Sequence, residues 1–310
     1  MKVLVSPSSF GQCGNEPLNL LKENNFEIIN NPFGRKLTEN EVIELARDAV
    51  GIVAGVEPLN KNVMDQLPKL KCISRVGVGM DSVDLKYAEG KGIAVVNTPD
   101  GPTRAVAELT IALSMDLLRR ISRADSNMRN KVWKKEIGNL ILGKTVGIYG
   151  LGRIGKETAK LFKALGAEII AYDLYPDLEF ADANEIQIAD KNNLFETADI
   201  ITIHVPGNKN KTPVISEIEL NLIKNESFII NVSRGGVVDE NALYDFLSKN
   251  KIAGAACDVF SFEPYEGKLL ELDNIVLTPH LGSYAKEAKL KMEIDAVKNL
   301  LKLLNNGSES

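Results

Sequence analysis

Three polar residues that follow predicted strands are candidates for acid–base and anion-binding chemistry. Arg234 follows the apolar run 228–232, Glu263 follows the run AGAACDVF, and His280 ends the stretch NIVLTPH. Histidine changes charge near neutral pH, so His280 is a candidate general acid or base. A carboxylate such as Glu263 can orient the imidazole, and the planar guanidinium of Arg234 can hold a carboxylate at two points. Because ligands of an open α/β sheet lie at the carboxyl ends of its strands, we expect the three side chains to meet.

A glycine motif upstream of these residues predicts a dinucleotide site. Gly150, Gly152 and Gly155 form G-x-G-x-x-G between a predicted strand, 145–149, and a predicted helix, 153–165. The first glycine permits a tight turn, the second lets the backbone approach a pyrophosphate, and the third lets the helix pack closely on the strand. The helix N-terminus then offers N–H groups to the phosphate.

The type of dinucleotide is predicted from the acid that follows the motif. A second predicted strand, 168–172, ends at Asp173, which lies 18 residues beyond Gly155. A carboxylate there can accept hydrogen bonds from a ribose 2′-hydroxyl and would repel a 2′-phosphate, so we predict NAD rather than NADP. The glycine motif alone also occurs in ordinary strand–helix turns, and it is the strand, helix and acid at the expected spacing that favour binding.

Together the two groups of residues fit hydride transfer at a 2-hydroxy acid. The cofactor accepts the hydride, and the hydroxyl proton requires a base, for which His280 is the candidate. Taken singly, Arg234 is also typical of a surface turn, Glu263 of a solvated loop and His280 of a packed core. Their joint occurrence after a dinucleotide motif favours the functional interpretation.

The elements that must position these residues alternate between strands and helices along most of the chain. Before residue 99 we predict strands near 2–5, 26–29, 51–54, 71–75 and 93–96, and helices near 16–24, 39–48, 60–66 and 83–90. A long amphipathic helix follows at 103–120, the alternation resumes, and a last helix covers 284–305. This alternation is typical of parallel sheets with crossover helices and predicts two α/β units that meet near residues 99 and 283.

Composition excludes several classes of protein. The 310 residues carry a net charge of −5, which disfavours nucleic acid or an anionic membrane as the main partner. No apolar stretch is long enough to span a bilayer, and the three cysteines have no metal-ligand spacing. We therefore expect a cytoplasmic protein without a metal site.

Several longer stretches together resemble the D-isomer-specific 2-hydroxyacid dehydrogenases. They are GLGRIG with its following acid, NVSRGGVVDE, CDVFSFEP and LTPHLG, together with SRVGVGMDSVDL and NTPDGPTRAVAELT nearer the N-terminus. The likeness extends over nearly the whole chain and is greatest to the phosphoglycerate-dehydrogenase-like branch, in a short form without a C-terminal regulatory domain. It implies an α/β fold with a Rossmann-type NAD domain, 99–284, inserted into a smaller flavodoxin-like substrate (lid) domain, 1–98 plus 285–310.

The resemblance also implies roles for individual residues. Arg234 would bind substrate, His280 would act as acid and base paired with Glu263, and Asp258 would meet the nicotinamide carboxamide. From the motif and the resemblance, the predicted NAD contacts are Gly150, Gly152, Arg153, Ile154, Gly155, Asp173, His204, Pro206, Val232, Ser233, Asp258 and Gly282. The predicted substrate contacts are Arg75, Gly77 and Val78, the latter two through backbone N–H groups, with Lys134, Lys135, Arg234 and His280. For His204, packing in the interior is an equally good interpretation.

The predicted activity is an NAD-dependent D-2-hydroxyacid dehydrogenase. A 3-phosphoglycerate-like substrate is favoured by Arg75 and by the lysine pair in KVWKKEIG, although such lysines are also typical of a solvated loop. A glyoxylate/hydroxypyruvate or D-lactate-type reductase is the alternative within the class, and a non-catalytic NADH-sensing binding protein is the alternative outside it. Ser82 and Ala285 depart from the family pattern, which leaves the substrate open. The resemblance further implies a homodimer joined through the NAD domains.

Overall fold

The computed structural model describes residues 1–207 and 212–306, and the chain divides into two compact units. The first is Met1–Pro102 with the C-terminal segment from Ser283, and the second is Thr103–Gly282. The division predicted from the sequence lay at 98/99 and 284/285. The loop before residue 103 belongs to the first unit because Gly101 packs on Met292, so closely that a Cβ on Gly101 would lie 2.2 Å from Met292 Cγ.

The first unit contains a five-stranded parallel sheet. Its strands are β1 (Lys2–Val5), β2 (Glu27–Asn30), β3 (Ala49–Ala54), β4 (Cys72–Arg75) and β5 (Ala94–Asn97). The helices between them are α1 (Glu16–Glu23), α2 (Glu39–Ala46), α3 (Lys61–Asp65) and α4 (Leu85–Gly90). The strand order β2-β1-β3-β4-β5 is the flavodoxin-like order, so that part of the predicted fold class is confirmed.

The second unit contains a seven-stranded parallel sheet. Its strands are β6 (Thr145–Tyr149), β7 (Glu168–Tyr172), β8 (Gln187–Ile188), β9 (Ile200–Ile203), β10 (Phe228–Asn231), β11 (Gly254–Cys257) and β12 (Ile275–Leu277). Its helices are α5 (Thr103–Arg119), α6 (Ile121–Arg129), α7 (Arg153–Ala164), α8 (Leu178–Ala183), α9 (Lys191–Thr197), α10 (Glu217–Leu220) and α11 (Glu240–Ser248), with a 3₁₀ turn at Lys268–Glu271.

The order of these seven strands confirms the Rossmann prediction. It runs β12-β11-β10-β9-β6-β7-β8, so the chain starts in the middle, builds one half of the sheet and then crosses to the other. The reversal occurs between β6 and β9. In such sheets a ligand lies outside the carboxyl ends of the strands at this switch point.

Helix packing explains the apolar periodicity of the sequence. In the second unit α5 packs against α7, and its buried face includes Ala107, Thr110, Ser114 and Leu118, as the three- and four-residue spacing predicts. In the first unit the last helix, α12 (Lys286–Asn306), covers β3 and β4 with side chains that include Leu300. Among the described residues, no helix is both long and apolar enough to cross a membrane.

Candidate active site

The sheet order brings the carboxyl ends of β10, β11 and β12 side by side. Asn231 at the end of β10 pairs in register with Cys257 on β11, and Cys257 pairs with Leu277 on β12. Arg234, Glu263 and His280 lie in the three loops that leave these strands. Three residues that are distant in the sequence are therefore carried on neighbouring strands.

His280 and Glu263 form a direct pair. The Nδ1 atom of His280 lies 2.8 Å from Oε2 of Glu263. The other oxygen of Glu263 accepts the backbone N–H of Phe260 at 3.0 Å, which holds the carboxylate in place. The side chains of His280 and Glu263 are 49% and 37% exposed, so both can be reached from solvent. With Nδ1 engaged by the carboxylate, Nε2 is the ring nitrogen left for proton exchange.

The backbone of His280 is in a conformation that non-glycine residues rarely adopt. Its φ is +56°, in the left-handed region. The N–H of His280 donates to the carbonyl oxygen of Asp258 at 2.8 Å, which ties this turn to the end of β11. A residue held in this region costs of order 1 kcal/mol or more and persists where its surroundings fix it, as they often do at active sites.

Asp258 is the residue that fixes this turn. Its carboxylate accepts the hydroxyl of Thr278 at 2.6 Å and the N–H groups of Leu281 and Gly282 at 2.7 and 2.8 Å. Asp258 has no exposed surface. The carboxylate of Asp258 thus joins the end of β11 to the loop that follows β12, and its predicted contact with a nicotinamide carboxamide stays a prediction.

Arg234 lies in a turn shaped by Asn231. The side-chain oxygen of Asn231 accepts both the N–H and the hydroxyl of Ser233, and its amide donates to the carbonyl of Arg234 at 3.1 Å. Nη1 of Arg234 donates to the carbonyl of Ser233 at 2.7 Å. Gly235 packs directly on the loop that leads to Glu263, since a Cβ there would lie 1.9 Å from the Phe260 oxygen. Gly235 is thus required for contact between two backbone segments.

The glycine turn after β6 has the shape that a dinucleotide requires. Gly150 has a φ of +101°, and a Cβ on Gly155 would lie 2.0 Å from the Gly150 oxygen. A Cβ on Gly152 would meet nothing within 4 Å, so there is open space beside the start of α7. The N-cap residue of α7 is Gly152, which has no side chain to accept hydrogen bonds from the first N–H groups of the helix. The turn and the helix end therefore fit a pyrophosphate.

Asp173 is fixed beside this turn. One carboxylate oxygen accepts the N–H of Leu151 at 2.7 Å, and the other accepts the N–H of Tyr175 at 2.9 Å. Each oxygen can accept one further hydrogen bond, as recognition of a ribose diol requires. The position of Asp173 at the end of β7 agrees with its predicted role toward NAD.

His204 follows β9 and is half-buried. Its Nε2 atom is hydrogen-bonded to the hydroxyl of Thr202, and its Nδ1 atom is buried. Burial lowers the pKa of His204 to about 3, so the ring is neutral at physiological pH. These contacts favour the packing interpretation of His204 over the predicted contact of its side chain with the cofactor.

The remaining predicted NAD residues all follow strands of the second sheet or start α7. Arg153 and Ile154 lie in the first turn of α7, and exposed Pro206 follows β9. Val232 and Ser233 are buried at the end of β10. Any contact of these residues with the cofactor remains a prediction.

The substrate residues predicted in the first unit lie at the end of β4. A Cβ on Gly77 would lie 2.7 Å from Nη1 of Arg75, so the guanidinium lies over this glycine. The N–H of Gly77 donates to Oγ1 of Thr98 at 2.7 Å. The bond predicted from this N–H to a substrate carboxylate stays a prediction. Val78 is partly exposed.

The two lysines predicted near a substrate phosphate follow α6 in the second unit. Both are exposed, and Nζ of Lys134 lies 3.5 Å from the Glu136 carboxylate. Glu136 also accepts from Arg120. Lys134 therefore already has an anionic partner, which agrees with the solvated-loop alternative, and no such contact is described for Lys135.

Two residues that shape the site were not predicted from the sequence. Asn231 builds the Arg234 turn, and Thr278 bonds to Asp258. Asn231 ends an otherwise apolar strand and is 4% exposed. A polar residue at the last position of a buried strand was the available signal, because buried polar groups need partners.

The fold and the site define a dinucleotide-binding protein of the Rossmann class with a histidine–carboxylate pair. Residues 111–282 match the family described as D-isomer specific 2-hydroxyacid dehydrogenase, NAD binding domain. The chain belongs to this family, and the predicted resemblance is confirmed.

Individual relatives span several activities within the family. The chain is 41% identical to a D-3-phosphoglycerate dehydrogenase of Methanocaldococcus jannaschii over 258 residues, which are 82% of this chain and 49% of that protein. It is 39% identical to a glyoxylate reductase of Thermococcus litoralis over 271 residues, 84% of this chain and 82% of the relative. Among solved structures, the TT0316 protein of Thermus thermophilus superposes with a TM-score of 0.89 at 31% identity, covering 99% of this chain and 97% of that chain.

Length separates these relatives. The chain spans about half the length of the D-3-phosphoglycerate dehydrogenases that it matches, with 49% to 55% of three of them covered. It covers 82% of the Thermococcus glyoxylate reductase and 89% of a hydroxypyruvate reductase of Thermotoga maritima.

Proposed function

We propose that this protein is an NAD-dependent D-2-hydroxyacid dehydrogenase, which interconverts a 2-keto acid and a D-2-hydroxy acid. The observation that carries the proposal is the bond of 2.8 Å between His280 and Glu263, in the loops that leave β12 and β11 of a Rossmann sheet. Such a pair is suited to moving one proton, the step that the cofactor cannot perform for itself.

The proton chemistry is assigned to His280. NAD, when bound, supplies the acceptor or donor of the hydride. His280 gives a proton to the carbonyl oxygen during reduction of the keto acid and removes it from the hydroxyl in the reverse direction. Glu263 orients the ring through Nδ1, and its own position is set by the Phe260 N–H.

Arg234 is assigned to the substrate carboxylate. The guanidinium is planar and permanently charged, and it presents paired N–H groups that match a carboxylate. The side chain is half-buried at the end of β10, one strand from the loop that carries Glu263. Charge attraction at a partly desolvated position favours an anionic substrate.

The cofactor residues are assigned by their place on the second sheet. Gly150, Gly152 and Gly155 would hold the pyrophosphate with the start of α7, and Asp173 would accept from the adenosine ribose. The charge of Asp173 disfavours a 2′-phosphate, which supports NAD over NADP. Arg75, Val78 and the lysine pair are retained only as predictions from the resemblance.

The proposal covers several substrates of the 2-hydroxy acid class. A 3-phosphoglycerate-like acid is the first candidate, and glyoxylate, hydroxypyruvate and D-lactate are alternatives that named relatives and solved structures support. The two groups differ in the charge of the substrate tail.

We also propose a cytoplasmic homodimer joined through the second unit. Exposed apolar side chains concentrate in the segment after α6: Val132, Trp133, Ile137, Leu140 and Leu142. Trp133 and Ile137 are 79% and 95% exposed. Large apolar side chains that are exposed together are typical of a protein–protein interface. A cavity of about 440 Å³ nearby is lined by Arg119, Ile121, Ala124, Asp125 and Met128. Sedimentation equilibrium tests the proposal, and a monomer at micromolar concentration would contradict it.

The activity is tested with a panel of 2-keto acids. Purified protein is mixed with NADH or NADPH and glyoxylate, pyruvate, hydroxypyruvate, phosphohydroxypyruvate or a longer 2-keto acid, and oxidation is followed at 340 nm. We expect turnover with NADH, a lower rate with NADPH, and loss of turnover in His280→Asn with NADH binding retained. NADH binding without turnover of any acid would overturn the proposal and indicate a nucleotide-sensing binding protein instead.

A further inference from the structure

An ion pair joins α7 to the segment that follows β7 in the second unit. Nζ of Lys156, in the first turn of α7, lies 2.5 Å from Oδ2 of Asp177, the residue that precedes α8. The same ammonium lies 4.8 Å from the centre of the Phe180 ring on α8. The charge of Lys156 is thus held between a carboxylate and an aromatic ring.

The carboxylate of Asp177 has a second partner. Its Oδ1 accepts the N–H of Phe180 at 3.1 Å, which caps α8. The hydrogen bond from Lys156, and after it the one from Phe180, hold the pKa of Asp177 below its usual value, so the carboxylate is ionised at neutral pH. The side chains of Lys156 and Asp177 are 29% and 46% exposed, and an ion pair as exposed as this contributes little to stability. Its effect on a nearby ligand charge can therefore be measured in folded variants.

The pair lies close to the carboxylate assigned to the cofactor ribose. Asp177 follows Asp173 by four residues, a separation that spans at most about 14 Å. Within this stretch, Asp173 accepts the N–H of Tyr175 at 2.9 Å. Its other oxygen accepts the N–H of Leu151 at 2.7 Å, two residues before α7 begins. Asp173 therefore bonds both to the turn that leads to Lys156 and to the loop that leads to Asp177.

Charges in this part of the second unit affect the choice between NADH and NADPH. The two cofactors differ by a phosphate on the adenosine ribose, and a phosphate monoester carries a charge of about −1.5 to −2 at neutral pH. A lysine without an anionic partner would attract this phosphate. Lys156 is paired with Asp177, so the pair has no net charge, while Asp173 adds a negative one. A 2′-phosphate at this position therefore meets repulsion without a compensating cation from Lys156.

We infer that Asp177 is a second residue that selects NAD over NADP, because it engages Lys156 and cancels the charge that would otherwise attract a 2′-phosphate. The inference rests on the proposed function and deepens its cofactor assignment. Asp177 is a positioning residue, which acts through Lys156 rather than by contact with the cofactor. Selection then depends on two carboxylates, Asp173 and Asp177, one at each end of the loop after β7.

The variant Asp177→Asn tests the inference. It removes the charge and keeps a side-chain oxygen for the Phe180 N–H, and asparagine caps helices as well as aspartate does. Fluorescence titration of the protein without substrate measures Kd for NADH and for NADPH. We expect the ratio of the NADPH Kd to the NADH Kd to fall by about five-fold or more, because the phosphate gains an attractive charge and loses a repulsive one.

The matched control is Asp182→Asn, which makes the same change at an exposed position on α8. This control should leave the ratio of the two Kd values unchanged. An unchanged ratio in a folded Asp177→Asn variant that binds NADH would overturn the inference and leave the proposed function intact. Failure of the wild-type protein to bind NADH would overturn the proposed function, and the inference would fall with it.

A second substitution separates this role of Asp177 from a purely structural one. In the double variant Asp177→Asn with Lys156→Gln, more than half of the gain in relative NADPH affinity should be lost, since the gain requires the released ammonium. The control is Lys160→Gln in the same Asp177→Asn background, because Lys160 also lies over the Phe180 ring, at 5.3 Å, and is exposed. This control should keep the gain. Full retention of the gain without Lys156 would overturn the assignment of Asp177 as a residue that acts through Lys156.

Ionic strength gives an independent measurement on the same variant. The gain in Asp177→Asn should shrink as salt is added, because screening weakens the attraction between the released ammonium and the phosphate. A gain that does not change with salt would indicate an altered loop shape rather than a released charge and would overturn the inference.

Discussion

Arg234 shows how a permanent charge is held at the end of a buried strand. Its turn is built by Asn231, whose side chain bonds to both following residues, and by Gly235, which rests on the Phe260 carbonyl. The guanidinium is half-buried, and Nη1 donates to the Ser233 carbonyl at 2.7 Å. An arginine positioned in this way is suited to a substrate carboxylate.

Replacement of Arg234 by lysine should therefore not be conservative. An ammonium group cannot reproduce the planar two-point contact. The loss of one charge-assisted hydrogen bond predicts a fall in kcat/KM of about 10- to 100-fold, with NADH affinity unchanged. Steady-state kinetics and NADH fluorescence titration measure the two quantities. The control is Arg47→Lys, at an exposed position after α2. Near-normal kcat/KM for Arg234→Lys would indicate that Arg234 does not bind the substrate and belongs to an ordinary surface turn.

At the scale of elements, three glycines in the turn between β6 and α7 serve both the packing of the helix on the strand and the binding of the cofactor. Gly155 is needed for packing, because a Cβ there would lie 2.0 Å from the Gly150 oxygen. Gly152 has open space around its Cβ position. We therefore expect Gly155 to contribute to stability and Gly152 to contribute to cofactor binding.

Alanine substitutions should distinguish the two roles. Gly155→Ala should lower the free energy of unfolding by about 1–3 kcal/mol, since overpacking displaces the helix from the strand. Gly152→Ala should leave unfolding nearly unchanged and weaken NADH binding by about ten-fold or more, because the added methyl occupies the approach of the pyrophosphate. Urea unfolding and fluorescence titration measure these effects. Wild-type NADH affinity in Gly152→Ala would argue against this turn as the phosphate site.

The loops after β11 and β12 hold the backbone of His280 in place. Asp258 bonds to Thr278, Leu281 and Gly282, and its carbonyl accepts the N–H of His280. The left-handed backbone of His280 is thus held from the neighbouring strand. These loops position the imidazole against Glu263.

At the scale of the whole molecule, the half-buried His204 predicts how stability depends on pH. Its pKa is about 3 in the folded protein and about 6.5 in an unfolded chain. Below pH 6.5 the unfolded chain binds a proton that the folded protein does not, so stability falls as pH decreases from 6.5 toward 3. Above pH 6.5 His204 is neutral in both states and contributes no pH dependence.

Removal of this histidine should flatten the acid side of the stability profile. Between pH 6 and pH 4.5 the wild-type protein should lose up to about 1.4 kcal/mol per pH unit more than His204→Gln. Urea unfolding at several pH values measures the difference between the two slopes. Parallel profiles would show that the imidazole is accessible to protons in the folded state.

In the sequence, the second unit is inserted between the two segments of the first unit. The first unit begins at Met1, is interrupted after Pro102, and is completed by α12, which covers its sheet. Each sheet has its own order of parallel strands, and each carries its polar residues in the loops after the strands.

The sequence by itself determined the local elements and their chemistry. Apolar periodicity and the glycine motif predicted β6, α7 and the long helix α5 to within a residue or two, because such patterns express local geometry. The polar residues after strands were also visible, and the family resemblance followed from their motifs.

Only the tertiary structure decided which of these residues meet and what each contact does. Strand order made neighbours of the loops that carry Glu263 and His280, since pairing of parallel strands depends on distant segments rather than on local sequence. It paired His204 with Thr202, bonded Asp258 to the loop after β12 and engaged the N–H of Gly77.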